Sequence, residues 1–136
     1  MGTLEQLVAA AIDEDLGHQD LTTDATIPPD LTGSGDLLAK QELVVAGQAA
    51  ARAVFAEVDR RLGGVVRYEA RAAEGALVAD RTVIASVRGP LRNIVIAERT
   101  ALNLVMRMCG IATNTRRFVV AAGPDGPAVV DTRKTT

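Results

Sequence analysis

The chain has 136 residues, 48% of them hydrophobic, and a net charge of −2, enough for one packed domain or for one domain and a piece of another. Phe55, Tyr68 and Phe118 are its only aromatic residues, and no basic excess exists, so stacking platforms and phosphate-tracking surfaces for nucleic acid are excluded as partners. Cys109 is the single cysteine, which rules out an intrachain disulfide framework, and no apolar run is long enough to cross a bilayer.

"TLEQLVAAAIDEDLG" predicts a first helix. Thr3 and Gln6 have capping-box spacing, Leu4, Leu7, Val8, Ala11 and Ile12 recur at helical intervals, and Gly17 is the expected stop. The acids of this opening stretch replace the positive flank of a signal peptide, so a cytoplasmic protein is expected. "HQDLTTDATIPPDLTGSG" follows, an ordered loop by composition. "DLLAKQELVVAG" is strand-like. "QAAARAVFAEVDRRLG" is a helix with Ala51, Val54, Phe55, Val58 and Leu62 on one stripe and Gly63 at its end. "VVRYEA", "ALVA" and "TVIASVRG" are three short strands, the last with Val83, Ala85 and Val87 on one face and Ile84, Ser86 and Arg88 on the other.

Pro90 opens a long helix, at a position where its missing N–H costs nothing. Leu91, Ile94, Val95, Leu102, Val105, Met106 and Cys109 form its apolar face, and Gly110 bends or ends it. "IATNTRRFVVAAG" reads as a further helix, and "PDGPAVVDT" as a turn and a short final strand. Residues 1 to about 90 form a self-contained α+β set. A final strand without a later neighbour does not hold itself, which suggests a truncated chain.

Two places carry candidate chemistry. On its helix Arg99 lies beside Val95, Leu102 and Met106, so its guanidinium must be paired or must reach water. A stem covering apolar surface with the head in solvent is the simpler account from spacing, and an anion site is the sharper one. Thr132, Arg133 and Lys134 directly follow an apolar strand, the place where parallel α/β barrels carry functional residues. Arg offers a planar fork for carboxylate and Lys a point charge, although a solvated loop gives the same pattern. Nucleotide-binding glycine motifs are absent, and "DEDLGHQD", with the only histidine, His18, matches no metal-ligand spacing. Cys109 reads as a small core residue, not as half of a Cys–His pair.

"EDLGHQDLTTDATIP", "AERTALNLVMRMCGIAT" and "VVDTRKTT", in this order and spacing, resemble quinolinate phosphoribosyltransferase, also called nicotinate-nucleotide pyrophosphorylase (carboxylating). The resemblance covers the whole chain. "LVMRMCG" departs mildly from the family, which often has a more aromatic or Gln-containing helix with Ser before the Gly. The resemblance implies a fold of class α+β: an N-terminal open α/β sandwich, hammerhead-like, then the long helix and the first strand of a truncated α/β (TIM-like) barrel. On that footing residues 1–112 are the cap domain and residues 113–136 the start of the barrel. It also implies an enzyme that transfers phosphoribosyl from phosphoribosyl pyrophosphate to quinolinate, with decarboxylation, giving nicotinate mononucleotide, pyrophosphate and CO₂. Mg²⁺ is the implied cofactor, with its ligands outside this chain. A homodimer is the implied assembly, in which Arg99 reaches quinolinate across the dimer, while Thr132, Arg133 and Lys134 serve the barrel side. A dianionic substrate and a pyrophosphate ester call for converging cations. By itself this chain is expected to be inactive. The competing readings are a molybdenum-transport-associated paralogue, a non-catalytic dimerisation module built on helix 90–109, and a lipoyl-type carrier. The carrier reading is disfavoured because Lys40 falls in a strand-like run instead of a tight turn.

Overall fold

Residues 3–16, 23 and 26–132 are described by the structure, a computed structural model. Helix α1 is Leu4–Leu16. Its capping box forms: Gln6 N donates to Thr3 Oγ1 at 3.3 Å, and Thr3 N donates to Gln6 Oε1 at 2.9 Å. Val8 and Ile12, one turn apart, are the residues it buries. The expected stop at Gly17 lies outside the described residues.

Strand β1 is Thr32–Leu38, so it begins inside the stretch read as a loop. Glycines hid it. Gly33 pairs with Gly89, and a Cβ at Gly33 would meet Leu91 Cδ1 at 2.9 Å. At Gly89 a Cβ would sit 2.6 Å from the Val65 carbonyl oxygen. At Gly89 neighbouring backbone passes too close for any side chain, whereas at Gly33 the contact is the movable end of Leu91. The strand-like run that follows is broken by a bend at residues 40–42, and β2 is only Leu43–Val44. Lys40 is therefore exposed in a bend, not in a strand.

Helix α2 is Gln48–Leu62, with Ala51, Val54, Phe55 and Val58 buried as expected and Leu62 exposed. Strands β3 (Arg67–Ala70), β4 (Leu77–Val78) and β5 (Val83–Pro90) follow. The main sheet is antiparallel in the order β1-β5-β3, and β2 pairs antiparallel with β4. The core lies between this sheet and the helices. Leu37, Ala85 and Val87 face Val54, Phe55 and Val58 of α2 and the apolar side of the last helix, and Val8 and Ile12 of α1 join the same cluster.

That last helix, α3, is Leu91–Ala122 and runs without a break. Pro90 is its N-cap and the last residue of β5, so the helix starts one residue later than read. The expected bend or end at Gly110 does not occur. One glycine costs a helix interior about 1 kcal/mol, too little to interrupt a run of good helix formers. Here Cys109, directly before it, is buried, and Thr113, just after it, accepts a hydrogen bond from Val44 N at 2.9 Å. The expected final strand is also absent: residues 127–132 have no regular structure, and Val130 is 77% exposed. No strand among the described residues offers it a partner.

Two polar junctions lock the helices. Asn93, 3% exposed, gives both carboxamide hydrogens away, to Asp59 Oδ1 at 2.7 Å and to the Gly63 carbonyl at 2.8 Å. Asp59 Oδ2 accepts from Val66 N at 2.7 Å. At the other junction Glu57 takes Arg60 and Arg61 at 2.7 and 2.8 Å, while Arg61 donates to Asp13 Oδ1 at 2.6 Å and to the Ala9 carbonyl at 3.2 Å, fastening α1 to α2.

Asp59→Ala strands a buried carboxamide and a backbone N–H, and is expected to cost about 1–3 kcal/mol in denaturant unfolding; a loss within error of zero contradicts this junction. Glu57 gives a pH signature. Hydrogen bonds from Arg60, then Arg61, lower its carboxyl from the ordinary 4.5 to about 2. A carboxyl lowered by folding stabilises the protein where it is ionised, and that contribution fades as pH falls through the folded value. Wild type is therefore expected to be more stable than Glu57→Gln at pH 7, and the gap to narrow below pH 4.5 and close near pH 2. A pH-independent gap in thermal melting would show that the effect is not electrostatic.

Candidate functional site

Arg99 stands in the third turn of α3, next to the end of α1. Its side chain is 76% exposed, and Nη1 donates to Asp15 Oδ1 at 3.0 Å, whose side chain is only 22% exposed. Paired and solvated at once, it satisfies the requirement read from its spacing. Its surroundings are more polar than that spacing suggested. A cleft of ≈ 390 Å³ is lined by Ala11, Glu14, Asp15, Arg99, Thr100, Asn103 and Leu104. Asp15 and Glu14 were missed as site residues because 84 positions separate Asp15 from Arg99, and no local spacing signals such a contact. Asn103 follows Arg99 by one helical turn on the same face, a signal present in the sequence and unused.

Thr132 is exposed in the irregular segment after α3 and does not line this cleft. Arg133 and Lys134 lie outside the described residues, as does His18. From Arg99 the axis of α3 carries the chain roughly 35 Å to Ala122 at 1.5 Å per residue. The ten residues from there to Thr132 span at most about 33–36 Å fully extended. They are not fully extended, since Gly126 N donates back to the Gly123 carbonyl in a turn. Along the chain Thr132 is thus separated from Arg99 by most of α3 and a turned segment.

A second, more apolar groove of ≈ 660 Å³ runs between the β1–β2 bend and α3, walled by Leu38, Leu43, Leu102, Val105 and Met106. Cys109 lines it but is 4% exposed, accepts from Ala46 N at 3.3 Å and donates to the Ala46 carbonyl at 3.3 Å. Burial pushes its thiol up from the ordinary value. It is the core residue that the sequence indicated. Among the described residues no group of three or more His, Cys, Asp or Glu side chains is arranged to hold a metal ion. No helix among them is long and apolar enough to cross a membrane.

Residues 20–109 match the family described as quinolinate phosphoribosyl transferase, N-terminal domain. The chain belongs to the quinolinate phosphoribosyltransferase family. It is 41% identical over 133 residues to quinolinate phosphoribosyltransferase (decarboxylating) 2, mitochondrial, of Nicotiana glauca, which covers 97% of this chain and 36% of that protein. It is 37% identical over 123 residues to the probable nicotinate-nucleotide pyrophosphorylase (carboxylating) of Synechocystis, covering 90% and 40%. The crystal structure of NadC from Streptococcus pyogenes superposes with a TM-score of 0.89 at 30% identity, over 98% of this chain and 46% of that one. The chain therefore spans well under half the length of these relatives and corresponds to their N-terminal portion. The α+β domain with its long helix is the architecture that the family resemblance implied. The family match leaves the lipoyl-type carrier without support, even though Lys40 proves to sit in an exposed bend.

Cys109 gives a check on the packing behind the site. Labelling of the folded protein by a thiol reagent at pH 8 is expected to be slower than that of the urea-unfolded chain by about an order of magnitude or more. Equal rates would mean that the groove side of α3 is open at Cys109.

Proposed function

We propose that this chain is the N-terminal portion of an enzyme that transfers phosphoribosyl from phosphoribosyl pyrophosphate to quinolinate, with loss of CO₂, giving nicotinate mononucleotide and pyrophosphate. Its share of the work is to present Arg99 to a quinolinate carboxylate. The names of its relatives support this substrate over that of the molybdenum-associated paralogue. Residues 1–112 act as the cap, and residues 113–136 open the barrel domain. Mg²⁺ would enter with phosphoribosyl pyrophosphate, on ligands outside this chain. Cytoplasmic residence belongs to the same proposal, although the Nicotiana relative is named mitochondrial.

One observation carries the reading: Arg99 stands in the third turn of a continuous 32-residue helix, and Thr132 follows the far end of that helix. This spacing favours gathering the cations needed around one dicarboxylate from two chains. Two copies related by a twofold axis solve the problem, since Arg99 of each can enter the site formed by Thr132, Arg133 and Lys134 of the other. Homodimerisation is therefore part of the function. The planar fork of Arg99 then binds and orients a carboxylate, while Arg133 and Lys134 add the positive charge that the anionic substrates need.

In the full-length enzyme Arg99→Lys keeps the charge and loses the fork. A charge-assisted hydrogen bond is worth roughly 1.5–3 kcal/mol, so kcat/KM for quinolinate should fall by about one to two orders of magnitude. The constants for phosphoribosyl pyrophosphate should move less. Pyrophosphate-release kinetics check this, and an unchanged quinolinate constant would remove Arg99 from the site.

A further inference from the structure

We infer that Asp15 is the positioning residue for Arg99: it fixes the guanidinium by one nitrogen so that the remaining donors face the incoming carboxylate. The inference rests on the reading of Arg99 as the quinolinate arginine and deepens it.

An arginine on an exposed helix face samples many rotamers, and each must be frozen when a carboxylate binds. Asp15 removes that freedom beforehand. Its contact is end-on, to Nη1 at 3.0 Å. Nε and Nη2 donate to no other group among the described residues, so a fork stays open for a second carboxylate. The anchor is itself fixed. Asp15 is largely buried, and α1 is seated by Val8 and Ile12 and clamped by Arg61 at Asp13 and the Ala9 carbonyl. The asymmetry of exposure, 22% against 76%, is that of a held base and a presented head. Asp15 also lies in the last turn of α1, which carries no cation of its own, so Arg99 supplies the positive charge favoured at that helix end.

The test is steady-state kinetics of the full-length enzyme with Asp15→Ala, Asp15→Ser and Asp15→Asn, each also in an Arg99→Ala background, with thermal melting to confirm folding. Asp15→Ala and Asp15→Ser should raise KM for quinolinate by about three- to tenfold, leaving kcat and the KM for phosphoribosyl pyrophosphate within about twofold. Asp15→Asn keeps a carbonyl acceptor and should recover most of the loss. In the Arg99→Ala background, removal of Asp15 should add nothing, because it acts through Arg99. A lowered KM would mean that Asp15 only competes for Arg99 and would overturn the inference. So would silent truncations, or losses that multiply in the double variant. Arg99→Ala that leaves quinolinate kinetics untouched would overturn the parent reading, and this one with it.

Discussion

Asn93 sits buried at the first turn of α3 with both carboxamide hydrogens committed, one to Asp59 on α2 and one to the Gly63 carbonyl just beyond it. Everything the long helix does depends on that joint. Asp59 is shared with Val66 N at the entry to β3, so one carboxylate holds the end of α2, the start of α3 and the chain leading into the sheet. It also supplies the negative charge that α3 lacks in its own first turn, where the helix dipole favours it. Because these groups are buried, the joint cannot exchange its partners for water cheaply.

From that joint the helix direction is set, and with it the position of Arg99 two turns on. The same geometry separates Arg99 from the segment containing Thr132, because an unbroken helix is a rigid spacer. In the proposed site this spacing is why the cations are drawn from two chains and not from one. The proposal of a second copy draws on this length and on the turn at Gly123–Gly126, with no appeal to interface area.

The sequence announced whatever rests on local periodicity or local hydrogen bonding. The Thr3–Gln6 box, the buried stripe of α2 and the core position of Cys109 all follow from spacing. What it hid has physical causes. Gly33, Ser34, Gly35 and Asp36 leave β1 without apolar side chains until Leu37, so no alternation marked its start. Gly110 looked like a break, but tertiary support on either side of it outweighs its small propensity cost. Val129 and Val130 have the composition of a strand, yet a strand needs a neighbour, which composition cannot supply. Arg99 was singled out through its apolar helix neighbours and the family resemblance; its ion-pair partner Asp15 was not, since that pair joins elements far apart in the chain.

The central claim is that the site is built from two copies, Arg99 from one and the cations of Thr132–Lys134 from the other. Mixed dimers test it most directly. Full-length Arg99→Ala and Lys134→Ala subunits, each strongly impaired alone, are unfolded together, refolded and assayed for pyrophosphate release. With sites shared across the dimer, half of the molecules carry one intact site of two, and activity should return to about a quarter of the wild-type value. Mixed dimers that form and stay inactive would contradict the account and return Arg99 to a site within its own subunit.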